Sequence, residues 1–187
     1  MAELEKYFDD LKKSVDVAYD VAGRARGLGF DPADVVECPL ALTMAERAVN
    51  LVKVVYPALN VEKISGRIME LEAEYGQLDA TVSFVIAREI AEGRFGKFRG
   101  KIEGIDAGIR VGFAYMTLGV VASPIEGYTG LKLGKTGNGK DYFIVSFSGP
   151  IRSAGTTSVC LVLMLIDYLR EVFGFAKYDA SADEVQR

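Results

Sequence analysis

The segment DYFIVSFSGPIRSAGTTSVCLVLMLIDYLREVFG, residues 141–174, limits the fold more than any other part of this chain. A strand-like run ends in Gly149-Pro150, a turn carries Arg152 and Ser153, and a long apolar helix follows Gly155. Strand, glycine turn and helix in that order call for a sheet with a helix packed on it. Exposed backbone N–H groups at such a helix start also attract anions.

With 187 residues, half of them hydrophobic, the chain can build a substantial core. The 22 Lys and Arg against 26 Asp and Glu leave a net charge of −4. A module that binds nucleic acid alone is usually basic, so this one would need a local patch or a partner's positive surface. There is no histidine, which excludes Ser-His-Asp and Cys-His catalysis. Cys38 and Cys160 stand far apart without ligand-like spacing, so they do not make a structural zinc site. Cys160, inside VCLVLMLI, reads as a small buried side chain. The charged N-terminus has no signal-peptide core, and the longest apolar run, Val159 to Ile166, is eight residues. These features predict a cytoplasmic protein that does not enter a membrane.

Leu4, Phe8, Leu11, Val15, Ala18, Ala22 and Ala25 alternate at spacings of four and three, predicting an amphipathic helix from about Glu3 to Arg26. A helix longer than about 30 Å exceeds what a small domain needs. It either folds back on its own domain or docks on another subunit or domain, with Leu4, Phe8, Leu11 and Val15 as the docking residues. Gly27 to Leu42 reads as a linker. Thr43 and Glu46 form a capping-box pattern for a helix that Pro57 stops; Asn60 and Asp79 cap two more, closed by Gly76 and Gly93. Asp106 opens a further helical stretch that Ser123-Pro124 ends. Gly127 to Gly134 and Tyr142 to Ser148 read as strands joined by a turn containing Asn138-Gly139. The last long helix is apolar all round in its first half and is expected to be buried. Ser181 and Glu184 form a second capping box, which is expected either to start a helix that runs past Arg187 into a longer protein or to be a chance S-x-x-E at a frayed terminus.

Three groups of residues could carry chemistry. The turn Gly149 to Gly155 offers Arg152, Ser153, Gly155 and backbone N–H groups to a phosphate, or is a structural turn whose Arg152 pairs a carboxylate. It is neither a Walker motif nor a dinucleotide-binding fingerprint. RFGKFRGK interleaves Arg94, Lys97, Arg99 and Lys101 with Phe95 and Phe98, a pattern suited to a nucleic-acid backbone with stacked bases. The alternative is a solvated loop whose phenylalanines tuck into the core. Asp9, Asp10, Glu70, Glu72, Glu74, Asp79 and Glu103 are carboxylates on predicted polar faces, and none receives a catalytic role.

YFIVSFSGPIRSAGTTSVCLVLMLIDYLREVFG, with YFDDLKKSVDVAYDVAGRAR, TMAERAVNLV, AREIAEGRFGKF and GVVASPIEGYTGLKLGKTGNGK upstream in order, resembles the N-terminal region of the archaeal family D DNA polymerase large subunit. The family pattern Gly-Gly-Thr-Ala is here Gly155-Thr156-Thr157-Ser158. The resemblance implies a replicative heterodimer, in which the large subunit polymerises and a small subunit is a 3′→5′ exonuclease. It places the catalytic carboxylates and zinc modules, and hence Mg and Zn, further along a longer protein, with no cofactor in this chain. It also implies an anchoring arm followed by a module likened to KH domains, although no G-x-x-G loop here matches theirs.

The expected fold is α+β: a long N-terminal helical arm, a helical segment, and a small antiparallel hairpin packed on a long buried helix. The expected divisions are 1–42 for arm and linker, 43–178 for the α+β domain, and 179–187 for the start of a following segment. The expected role is a non-catalytic scaffold that docks the small exonuclease subunit and contacts DNA. The alternative is a stand-alone nucleic-acid-binding module that uses RFGKFRGK and GPIRSAG.

Overall fold

The computed structural model describes residues 2–30, 40–118, 122–149, 151 and 155–186. The chain divides into two units, Met1–Leu40 and Ala41–Arg187.

Among its described residues, the first unit contains one helix, α1 (Ala2–Gly27). Glu3 and Glu5 in its first turn and Arg24 and Arg26 in its last complement the helix dipole. It closes where Gly29 turns to φ 78°. The Phe30 N–H then donates to Ala25 O at 3.0 Å and the Gly29 N–H to Arg26 O at 2.9 Å, which satisfies two terminal carbonyls. No described residue of α1 is buried; Phe8, Leu11 and Val15 are half-buried, while Leu4 and Tyr7 are exposed.

The second unit is α+β. It contains α2 (Met44–Lys53), α3 (Val61–Tyr75), α4 (Ala80–Ala91), α5 (Lys101–Met116), a π-helical turn (Ala122–Gly127), β1 (Tyr128–Lys135), β2 (Asp141–Phe147), α6 (Gly155–Val172) and α7 (Ala182–Val185). The starts of α2, α3, α4 and α7 follow from local side-chain chemistry. Thr43 accepts the Glu46 N–H at 3.1 Å, Asn60 the Lys63 N–H at 3.0 Å, and Asp79 the Thr81 N–H at 2.7 Å. Ser181 and Glu184 make the reciprocal capping box. In the Thr43 pattern the return bond goes elsewhere: Glu46 accepts the N–H of Leu42 at 2.7 Å.

The first correction concerns α5. It begins at Lys101, ends at Met116 well before Ser123-Pro124, and carries Asp106 buried in its interior instead of at its start. Every residue from Gly104 to Tyr115 is buried, because α5 runs between two clusters. One joins α2, α3 and α4 through Val49, Ile64, Ile68, Val82 and Ile86. The other joins the hairpin and α6 through Ile105, Ile109, Phe113, Leu165 and Leu169.

β1 and β2 pair antiparallel, with Leu133 opposite Phe143 and Lys135 opposite Asp141. Of the turn residues only Gly139 takes positive φ, 80°, and its N–H donates to Thr136 O at 2.9 Å. That is a type I turn followed by a bulge glycine, within the Asn-Gly signal but not the two-residue primed turn. Past α6 the chain returns beside β2, where the Ala176 N–H donates to Asp141 O at 2.8 Å.

The second correction concerns α6, which is buried along one face only. Val162, Leu165, Ile166 and Leu169 enter the core, whereas Cys160, Leu163 and Met164 are exposed. The helix meets α4 and α5 on one side, so an apolar sequence all round leaves an apolar stripe outside. Cys160 is accordingly an exposed thiol instead of a buried one. Among the described residues no helix is long and apolar enough to cross a membrane.

Candidate nucleic-acid interface

The loop between α4 and α5 holds RFGKFRGK against the core. Phe95 and Phe98 are half-buried on the first cluster, and Phe98 meets Tyr56 edge-on at 6.4 Å. The Phe95 carbonyl accepts the Asn60 N–H at 3.0 Å. Gly96 lies so close to the chain before α3 that a β-carbon there would be 2.8 Å from Ala58 O. The phenylalanines thus anchor the loop, and the basic residues between them go separate ways.

Arg94, although exposed, pairs with carboxylates. Its Nη1 is 3.2 Å from Glu89 Oε1 and its Nη2 is 2.7 Å from Glu92 Oε2. Glu89 is nearly buried and also receives Arg67 through Nε and Nη2, both at 3.1 Å. A buried carboxylate is tolerable only with such partners. Hydrogen bonding from Arg88, aided by Arg94, holds the Glu92 carboxyl below the ordinary range.

Lys97 and Arg99 are exposed. Lys97 lines a cleft of about 530 Å³ with Asn60, Lys63 and Arg94, while Arg99 lines another of about 460 Å³ with Tyr56, Asp106 and Arg110. Lys101 opens α5 and sits 5.0 Å from each of the Phe173 and Phe175 ring centres. The four cations therefore line three different clefts. Arg152 and Ser153 lie outside the described residues; Gly155 is the first residue of α6. Leu4, Phe8, Leu11 and Val15 share the stripe of α1, in the other unit.

A buried polar junction went unread in the sequence. Asp106 Oδ1 accepts the Tyr128 hydroxyl at 2.5 Å, and Oδ2 accepts the Tyr56 hydroxyl and Arg110 Nε, the latter at 2.9 Å. Arg110 Nη1 donates to Tyr128 O at 2.9 Å, and its guanidinium lies 4.8 Å from that ring's centre. Burial first, and then the Asp106 carboxylate, push both phenols above their usual titration range, so they stay hydrogen-bond donors. The junction ties the segment after α2 and the start of β1 to α5. Its sequence signal is Asp and Arg four apart inside an otherwise apolar helix.

Several of the remaining carboxylates pair within the fold. Glu72 accepts the Tyr115 hydroxyl at 2.7 Å, Glu70 pairs with Arg67 at 2.9 Å, and Asp10 with Lys13 at 3.2 Å. Among the described residues no three of Asp, Glu or Cys converge as a metal site.

Residues 6–187 match the family model described as DNA polymerase II large subunit DP2, N-terminal. The chain is 37% identical over 181 residues to the DNA polymerase II large subunit of Nanoarchaeum equitans, covering 97% of this chain and 15% of that protein. It is 39% identical over 185 residues to that of Methanosarcina barkeri, with 99% and 15% covered. To that of Methanococcus vannielii it is 40% identical over 184 residues, with 98% and 15% covered. The chain thus spans about 15% of the length of the curated relatives it matches.

Proposed function

The chain belongs to the N-terminal family of the DNA polymerase II large subunit, and from that premise we propose that it scaffolds a replicative DNA polymerase. The observation that carries this reading is the end-to-end match to one terminal portion of much longer large subunits. Polymerisation belongs to other parts of such a subunit, and a small subunit supplies 3′→5′ exonuclease activity. The chain itself arranges the parts: α1 docks on the small subunit, and the α+β unit packs within the large one and contacts DNA.

The apolar stripe of α1 supports the docking role. Leu4, Phe8, Leu11 and Val15 make this stripe on a helix none of whose described side chains is buried. Burying such a stripe contributes about 25 cal/mol per Å² before ordering costs. The test is co-expression with the small subunit and co-purification. Phe8→Asp with Leu11→Asp should weaken recovery of the pair while the α+β unit stays folded; unchanged recovery removes the docking role. Nucleotide incorporation by this chain alone would overturn the non-catalytic reading.

The second reading, a module that binds nucleic acid by itself, is favoured by the exposure of Lys97 and Arg99. It predicts single-strand binding that falls steeply with salt.

A further inference from the structure

The hairpin turn, the start of α5 and the segment after α6 enclose a cleft of about 870 Å³. Clefts of roughly 300–1,000 Å³ are the size that holds small ligands. Three exposed lysines line it from three parts of the chain: Lys101, Lys140 and Lys177. The acidic residues on the wall are Asp141 and Asp179, and Asp141 is paired with Lys135 at 2.7 Å.

Lys101 is held in place before any ligand arrives. Its ammonium lies 5.0 Å from the centres of both the Phe173 and Phe175 rings, and it donates to Phe173 O at 3.3 Å. Phe175 is in turn packed on Phe143 of β2 at 4.5 Å, so the cation rests on a stack continuous with the sheet. One of the three N–H donors of the ammonium is engaged by the Phe173 carbonyl.

Tyr178 supplies the other element. The residue is 55% exposed; its ring meets that of Tyr142 at 5.2 Å, tilted by 50°, and its hydroxyl donates to Glu184 at 2.6 Å. An exposed aromatic plane fixed at both ends is a stacking surface with little left to order on binding. Beside three ammonium groups, it suits a ligand that alternates negative charge with flat rings. An acidic peptide would use the lysines but has no need of the ring.

We propose that this cleft binds a segment of single-stranded nucleic acid, with Lys101, Lys140 and Lys177 meeting phosphates and the Tyr178 ring stacking on a base. The assignment deepens the DNA-contacting role proposed above and rests on it. It moves that contact from the α4–α5 loop to the hairpin end, with Lys101 as the shared residue.

The test is anisotropy of a short fluorescent oligothymidylate titrated with the whole chain over a range of salt. Lys140→Gln with Lys177→Gln should lower affinity about tenfold and flatten the salt dependence by about 1.4, from roughly 0.7 per phosphate contact on a single strand. Tyr178→Ala should weaken binding with the salt slope unchanged, since stacking releases no counterions. All these side chains are exposed, and circular dichroism checks that the variants fold.

Absence of oligothymidylate binding by the unaltered chain at low salt overturns the proposal. Full binding by the Lys140/Lys177 variant, with loss in Lys97→Gln/Arg99→Gln, overturns the cleft and returns the contact to the loop. Displacement by a poly-glutamate peptide but not by unlabelled oligothymidylate also overturns it, in favour of a protein ligand. The scaffold role is read separately, by co-purification with the small subunit.

Discussion

A β-carbon at Gly108 would lie 2.3 Å from the carbonyl oxygen of Ala87, a distance that no side chain can relieve because the obstacle is backbone. The same contact continues at Gly112, where a β-carbon would be 2.9 Å from Ser83 O. Small residues four apart on both helices let α4 and α5 approach face to face, and this pairing is the centre of the α+β unit.

Gly108→Ala should therefore destabilise the fold by about 1–3 kcal/mol, the range for overpacking, despite alanine's better helix propensity. Gly66 in α3 has nothing within 4 Å of a β-carbon. Gly66→Ala should stabilise by roughly 0.5–1 kcal/mol. Urea denaturation of the two variants checks the contrast, and a Gly108→Ala protein as stable as the parent would refute the close-approach account.

Removing one partner of the Asp106 junction should be costly. Asp106→Ala leaves Arg110 buried without its carboxylate, which costs about 3–5 kcal/mol. Tyr128→Phe removes one hydroxyl donor and should cost less, about 0.5–1.5 kcal/mol for a hydrogen bond with a further increment for the charged acceptor.

The same junction sets an alkaline limit. Tyr56 and Tyr128 titrate above the usual value of 10.0 in the folded chain, so the unfolded chain loses their protons first. Their contribution is whole below that pH and is lost as pH rises beyond it, at up to about 1.4 kcal/mol per pH unit for each phenol. Melting temperature followed from pH 8 upward should fall more gently in Tyr128→Phe than in the parent; an identical profile would show that the phenol is not linked to folding.

Arg94 should behave as a fold residue. Arg94→Gln strips a partner from nearly buried Glu89, so its melting temperature should drop, whereas Lys97→Gln and Arg99→Gln should leave melting unchanged. Equal melting of all three variants would return Arg94 to the candidate nucleic-acid surface.

Cys160 should react with a thiol reagent in the native chain, at a rate insensitive to low denaturant, because α6 leaves it outside. A Cys38→Ser background isolates its signal. Reaction only after unfolding would restore the buried reading.

Most of the secondary structure was legible because its signals act within a few residues. Thr43, Asn60, Asp79 and Ser181 each satisfy an N–H two or three positions away, and Gly29 and Gly76 close helices through their own φ. The candidate site was legible in residue type but not in arrangement. RFGKFRGK reads as one basic motif, yet Arg94 meets Glu89, Lys101 meets Phe173 and Phe175, and Lys97 and Arg99 remain exposed between them. Lys140 and Lys177 carry no local pattern, and only the return of the chain beside β2 brings them to Lys101.

By itself, then, the amino-acid order determined the family, the α+β class, the amphipathic α1 and the caps, all of which depend on near neighbours or on the string of residues. Tertiary structure decided which face of α6 is covered, why Gly108 must be glycine, and that Asp106 is a buried junction instead of a helix start. Burial and pairing of those residues depend on elements distant in sequence, and spacing along the chain does not encode which distant carboxylate, ring or carbonyl a side chain will meet.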